Sequence, residues 1–316
     1  MKAVFLGIEI GGTKVQVSAG SADGRIEATW RGEVKPRAGA SAIRRQLLVG
    51  AREVLRGRRP AAVGVGFGGP VCWRTGRVRV SHHVRGWANF PLAAWLRGRL
   101  GAPVTLENDA NVAALAEARL GVGRGRDPVF YMTVGSGIGG GLVAGGELYH
   151  GAEPGEMEVG HTRVPRVGRP AREWPILEEL ASGWAVDRAV RAAVRRRPRS
   201  GLARACREAG QPPAAGLWRA ARRGDRAALE IWEGLASHLA LGLSHAVHLA
   251  HPEVLVLGGG VSLMGEPLRR AVEGKLRHLV MAAHAGTWSL RLARLGEGAV
   301  PAGALLLAAG RLAREA

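Results

Sequence analysis

The first third of the chain alternates short apolar runs with turn signals. Residues 3–10 are an apolar run that stops at Gly11-Gly12-Thr13-Lys14, and Val15-Gln16-Val17-Ser18-Ala19 resumes the alternation. A period of two bounded by glycine predicts strands. Asp23-Gly24 is a hairpin signal, so a third strand is expected near Arg25–Arg31 and the three make an antiparallel meander. From Ser41 to Arg56 the apolar positions Ile43, Leu47, Leu48, Val54 and Leu55 fall on a helical stripe. A buried strand over 61–67 runs into Gly68-Gly69-Pro70-Val71, followed by a helix near Leu92–Leu100, a strand over 102–106 and a helix over 112–120. Together these form a β-β-β-α-β-α-like unit of about 120 residues, an ordinary domain size.

Gly121-Val122-Gly123-Arg124-Gly125-Arg126-Asp127-Pro128 is a polar, glycine-rich link and a natural boundary. The opening pattern then returns: a strand over 129–134, a glycine-rich turn over Gly135–Gly141, and a resumed strand over 142–144. This repeat predicts a duplicated fold. Residues 145–180 are loop-rich, and Ser182 to Glu233 is helical and broken at Pro198 and Pro212-Pro213. A long apolar helix over Glu230–Ala250 precedes a strand over 253–257 that ends in Gly258-Gly259-Gly260. A helix over 267–280, a strand over 289–295 and a final helix over 302–314 complete the chain.

At 316 residues there is room for two domains, and no run approaches the roughly 18 apolar residues of a membrane helix. The apolar start is too short for a signal peptide and is interrupted at once by Glu9 and paired glycines, so a cytoplasmic protein is expected. Cys72 and Cys206 suggest no disulfide framework. The net charge of +19 comes almost wholly from arginine, since only Lys2, Lys14, Lys35 and Lys275 are lysines. Two sources remain open, a compositional bias toward Arg or a polyanion partner; a basic surface would also help recruit an anionic nucleotide.

Candidate chemistry gathers at four places. Leu106-Glu107-Asn108-Asp109-Ala110-Asn111 lies where strand turns into helix. Its Asn and Asp suit a helix cap, and a carboxylate there also suits a substrate hydroxyl. The other three are glycine turns that each follow an apolar strand, where backbone N–H groups can approach phosphate oxygens. Gly11, Gly12, Thr13 and Lys14 form the first, with a hydroxyl donor and a charge; Gly135, Ser136, Gly137 and Gly139 belong to the second; Gly258, Gly259 and Gly260 form the third and would line an adenosine pocket. The spacing fits neither a Walker A loop nor the dinucleotide fingerprint, because strands rather than helices follow the first two turns.

Taken together, Leu6–Lys14, Gly66–Val71, Glu107–Asn111, Gly135–Gly141, Glu158-Val159-Gly160-His161 and Val256–Val261 resemble, in order, the motifs of the ROK family of repressors, open reading frames and sugar kinases. That family lies within the actin-like/hexokinase ATPase superfamily. The resemblance implies an α/β chain of two ribonuclease-H-like domains, here 1–120 and 121–299, with an inter-domain active-site cleft and helix 300–316 packing back on the first. It implies Asp109 as the base that takes the sugar hydroxyl proton, with Gly69, Asn108, Glu158, His161 and Glu178 around the sugar. ATP with Mg²⁺ is the implied cofactor, Glu9 carrying the charge that would hold the metal through water, and a homodimer or homotetramer is the implied assembly. The leading activity is phosphorylation of a hexose, glucose to glucose 6-phosphate. The alternatives are an N-acetylhexosamine kinase of the N-acetylmannosamine type, or a sugar-binding regulatory protein without turnover.

Three departures stand out. Many members bind zinc with the His of Glu-x-Gly-His and three following cysteines; Thr162–Glu178 holds no cysteine, so no structural zinc is expected. Glu9 replaces the family's usual Asp, and His83, four residues before Trp87, stands where many relatives have Asn. The first phosphate turn begins near Gly7, which leaves no room for the winged helix-turn-helix of the repressors, so sequence-specific DNA binding is not expected.

Overall fold

The computed structural model describes residues 3–81, 84–153, 155, 157–210 and 213–315. His83 lies outside them. The chain divides into two compact units, Met1–Gly125 with Gly141–Met157 and Arg294–Ala316, and Arg126–Gly140 with Glu158–Ala293.

The first sheet is built outward from β1 (Phe5–Ile10), whose six positions are all buried. β1 pairs antiparallel with β2 (Lys14–Gly20), which pairs antiparallel with β3 (Ile26–Glu33), and on its other side parallel with β4 (Val63–Phe67). β5 (Val71–Cys72) and β6 (Arg77–Val78) form a small hairpin that apolar periodicity could not announce, since each strand is only two residues long. β7 (Val104–Asn108) pairs parallel with β4 and completes the order β3-β2-β1-β4-β7.

Both faces of this sheet are covered. Ile8 sits opposite Val17 and Gly7 opposite Ser18, so the two pairs point to opposite faces. α1 (Gly39–Leu55) covers the Val17 face, where Gly50 lies so close to Trp30 that a methyl group on it would meet the indole at 2.6 Å. α2 (Leu92–Leu100) packs on β7, and α3 (Asp109–Arg119) follows it. The Gly7 face receives the last helix, α10 (Ala299–Glu315): a methyl on Gly64 would lie 1.9 Å from the Ala304 carbonyl oxygen, and one on Gly7 2.6 Å from that of Pro301. These strand glycines let a helix backbone sit directly on the sheet.

Glu117 in α3 is completely buried and holds two distant segments beside this helix. Its carboxylate accepts from the backbone N–H of Val122 at 3.0 Å and of Arg294 and Leu295 at 2.8 Å each.

The second sheet repeats the first in order, β10-β9-β8-β11-β12. β8 (Val129–Val134) and β9 (Ile138–Ala144) are joined by a three-residue turn, β10 (Glu147–Leu148) pairs antiparallel with β9, and β11 (Val254–Gly258) pairs parallel with β8 and with β12 (Ser289–Leu292). The duplication read from the sequence is present, and the mixed α/β class with it. Helices α4 (Leu177–Ala181), α5 (Gly183–Arg196), α6 (Gly201–Ala209) and α7 (Leu217–Arg222) occupy the long middle segment. α8 (Arg226–Ala250) starts at Arg226 rather than Glu230, because the Asp225 side chain accepts from Ala228 N and caps it. α9 (Glu266–Leu279) precedes β12. Among the described residues no helix is long and apolar enough to cross a membrane.

The arginines are unevenly placed. Residues 183–226 hold twelve arginines against Asp187, Glu208 and Asp225. All twelve are exposed, so the basic charge is concentrated on α5–α7 and their connections.

Candidate active site

In the first unit the site begins at the end of β1. Glu9 is 7% exposed; its carboxylate accepts from Gln16 Nε2 at 2.5 Å and lies 3.7 Å from Lys14 Nζ. Burial pushes its pKa from 4.5 up to about 6; Lys14 and Gln16 pull it down, and the charges of Asp109 and Glu297 push it up further. Lys14 is shared between Glu9 and Glu297, each at 3.7 Å. The turn itself is pinned by Gly11 N donating to Lys14 O at 3.0 Å and by Val34 N donating to Thr13 O at 2.9 Å.

Asp109 is the first residue of α3. The strand before it runs on to Asn108 and the helix starts three residues earlier than the apolar pattern indicated. The reason is the cap: Asn108 Oδ1 accepts from Ala110 N at 2.8 Å and Asn111 N at 3.3 Å. Asn108 Nδ2 donates to Gly69 O at 3.3 Å, which ties the cap to the loop after β4. A methyl group on Gly68 would meet Asp109 Oδ2 at 3.2 Å and Gly11 Cα at 3.5 Å. Gly68 therefore packs against both the Asp109 carboxylate and the first glycine turn, and the Asp109 charge acts on Glu9 beside that turn.

Beneath this turn lies a polar cluster that the sequence reading did not assign. Glu107 is 2% exposed. Its Oε1 accepts from Asn108 N at 2.9 Å and Asn111 Nδ2 at 3.0 Å, and its Oε2 is 2.5 Å from His150 Nε2. The His150 ring stacks on Trp73 at 4.2 Å. Asn111 is completely buried and also donates to Gly155 O at 3.3 Å. Glu107 stood inside a quoted motif; nothing in the spacing pointed to His150, 43 residues away.

In the second unit the parts converge on Ile138, the first residue of β9. Glu178 Oε2 accepts from Ile138 N at 2.7 Å, and a methyl on Gly137 would meet the same oxygen at 2.4 Å. A methyl on Gly160 would lie 2.1 Å from Ile138 O, so the Glu158–His161 turn rests on the same residue. Glu158 Oε2 and His161 Nδ1 are 3.1 Å apart and both side chains are largely exposed. The glycine turn shrinks to Gly135-Ser136-Gly137, closed by Gly135 N donating to Gly137 O at 2.9 Å and held to the start of α5 by Gly183 N donating to Gly135 O at 2.8 Å. Gly139, read as part of the turn, is a strand residue of β9.

The third glycine turn lies against the end of β8. A methyl on Gly258 would meet Tyr131 Oη at 2.2 Å, and one on Gly259 the Val134 backbone at 2.6 Å. Gly259 also has φ 81, a left-handed conformation that favours glycine. Gly260 opens a 3-10 turn to Met264 rather than the helix itself; α9 begins at Glu266. Among the described residues no three His, Cys, Asp or Glu side chains gather at metal-binding spacing.

Solved structures with this architecture are close in shape. A ROK family glucokinase from Streptomyces griseus, solved with glucose and AMPPNP, has a TM-score of 0.80 at 30% identity over 97% of this chain and 99% of its own. A ROK hexokinase from Thermus thermophilus has a TM-score of 0.79 at 32% identity, covering 99% and 100%. In sequence, a glucokinase from Thermotoga maritima is 33% identical over 300 residues, 94% of this chain and 95% of the relative. These relatives share the fold described above, that of the actin-like ATPases. The ROK family model matches residues 5–311, and the chain belongs to the ROK family.

Proposed function

We propose that this ROK-family, ATP-dependent sugar kinase transfers the γ-phosphoryl group of ATP to glucose, giving glucose 6-phosphate, with Asp109 as general base. The observation that carries the reading is that Gly68 packs against both the Asp109 carboxylate and the Gly11 turn, with the Asp109 charge acting on Glu9 at the end of the strand before that turn. A base held beside a phosphate-binding turn can take the proton of a sugar hydroxyl as that oxygen attacks. Placement at the first turn of α3, fixed by the Asn108 cap, gives Asp109 a defined direction, and phosphoryl transfer depends mostly on positioning and charge.

The other residues divide the work. The turns at Gly11–Lys14 and Gly135–Gly137 present backbone N–H groups to phosphate oxygens, and Lys14 adds a charge. Gly258–Gly260 line the adenosine side. Glu158, His161, Asn108 and the Gly69 loop meet sugar hydroxyls, for which directional acceptors and donors are needed. Glu178 already accepts from Ile138 N, so one of its oxygens orders the glycine turn while the other is left for the sugar. Mg²⁺ accompanies ATP and neutralises phosphate charge when bound. Buried Glu9, whose ionisation Asp109 opposes, is a hard oxygen donor of the kind that this ion takes beside phosphates. Glucose is favoured because relatives spanning nearly the whole chain are glucokinases, one of them solved with glucose.

The test couples ADP release to a panel containing glucose, mannose, N-acetylglucosamine and N-acetylmannosamine. Glucose should give the highest kcat/KM, and Asp109→Asn should lower kcat by about 10²–10⁴-fold. An N-acetylhexosamine as best substrate would replace glucose in the reading. Absence of sugar-dependent ADP would refute the activity, and turnover that survives Asp109→Asn would remove Asp109 as the base.

A further inference from the structure

We propose that Glu107 and His150 are positioning residues for the phosphoryl-transfer step, clasping the loop residues His150 and Gly155 to the strand–helix turn that carries Asn108 and Asp109. The inference rests on the kinase reading and adds to it two residues that touch no reacting atom.

The geometry is that of a junction. One buried carboxylate uses both oxygens. Oε1 accepts from the backbone N–H of Asn108, the residue immediately before Asp109, at 2.9 Å, and from Asn111 Nδ2 at 3.0 Å. Oε2 meets His150 Nε2 at 2.5 Å. The loop contributes a second stitch, Gly155 O accepting from Asn111 Nδ2 at 3.3 Å. Two residues of the turn and two of the loop therefore meet at Glu107 and Asn111.

Such a junction has little tolerance. Glu107 is 2% exposed and Asn111 is fully buried, so a lost donor cannot be replaced by bulk water at no cost. His150 cannot swing away either, because its ring is stacked on Trp73 at 4.2 Å with an interplanar angle of 22°. With His150 absent, Glu107 Oε2 loses its partner, and the carboxylate is free to turn away from the groups that Oε1 holds. The backbone N–H it then releases is that of Asn108, the cap residue immediately before Asp109. Small displacements of a base relative to the attacking oxygen are costly in rate, and they act on kcat before they act on nucleotide binding.

The test uses the full-length enzyme and three variants. His150→Phe keeps a flat ring for Trp73 and removes the donor. His150→Gln restores an N–H that can reach Glu107. Glu107→Gln keeps the shape and removes the charge. Steady-state constants are measured for ATP and for the best sugar, with melting temperatures alongside. The native enzyme's own sugar-dependent turnover judges the kinase reading; the variant-to-native ratios judge the clasp.

The expected result is at least about a tenfold fall in kcat for His150→Phe and Glu107→Gln with KM for ATP unchanged, and recovery to within about threefold in His150→Gln. A native-like kcat in folded His150→Phe would overturn the inference. So would a fall in kcat that His150→Gln does not relieve, or one in which KM for ATP rises in parallel, since either result means a general loss of structure. As a check independent of turnover, the native protein should show a downfield imidazole N–H proton signal that disappears in Glu107→Gln. Its persistence there would also overturn the clasp.

Discussion

Replacing Glu9 by Gln should stabilise the ligand-free protein at neutral and alkaline pH and leave it nearly unchanged at acid pH. The magnitude follows from the environment. Burial raises the Glu9 pKa from 4.5 to about 6, so the folded state holds the proton more tightly than the unfolded chain does. Its contribution is therefore favourable below the unfolded pKa and is lost as pH rises through the folded one. A separation of about 1.5 pKa units corresponds to about 2 kcal/mol. Glutamine keeps the length of the side chain and can still accept from Gln16 Nε2, and Lys14 retains Glu297 at 3.7 Å. The assay is urea unfolding of both proteins from about pH 4 to about pH 8, without divalent cations or nucleotide, reading the difference in unfolding free energy at each pH. Taking the difference cancels the titration of every group the two proteins share. The gap should widen by about 2 kcal/mol in favour of Gln, most of it between pH 4.5 and 6.5. A gap that stays flat, or widens toward acid, would refute the account of Glu9 as a buried carboxylate held against desolvation. The same variant should need more Mg²⁺ for turnover.

Three further substitutions test the scaffold. Asn108→Ala removes the acceptor for Ala110 N and Asn111 N and the donor to Gly69 O; it should cost about 1 kcal/mol in chemical denaturation and depress kcat, and an unchanged stability would mean that the cap is not used. Glu117→Gln weakens a buried acceptor of three backbone N–H groups and should cost about 1–3 kcal/mol, with faster hydrogen exchange at Val122, Arg294 and Leu295; normal exchange there would exclude the role given to it. Gly64→Ala places a methyl 1.9 Å from Ala304 O and should lower the stability by at least about 1–3 kcal/mol, whereas a silent variant would show that α10 does not lie on β4.

Apolar periodicity and glycine punctuation were enough to read most of the elements, because a strand or an amphipathic helix is a local pattern. β1, α1, β4, α2, β8, β11 and α10 all lie close to where the sequence places them. The repeated strand–glycine–strand pattern likewise gave the duplication, visible in two sheets of the same order. The boundaries that moved did so through side chains that reach beyond their own segment. Asn108 draws the start of α3 back to Asp109, and Asp225 draws the start of α8 back to Arg226. Ile138, bonded to Glu178 forty residues away, ends the second glycine turn early.

For the site, the sequence by itself determined which residue types stand in which motif, and hence the resemblance that names Asp109, Glu158, His161 and Glu178. It could not determine which of these meet. That Asp109 and the Gly11 turn both lie against Gly68 depends on β4 pairing with β1 on one side and β7 on the other, and that Glu178 orders Gly137 depends on the register of β9. The Glu107–His150 pair lies wholly on the side of tertiary structure. Its members are 43 residues apart, and while Glu107 stands in a motif, nothing local marks His150; they meet because His150 and Gly155 are brought against the β7–α3 turn. A local pattern records what a residue does to its neighbours in the chain, whereas a hydrogen bond between distant segments exists only once the packing of both has been fixed.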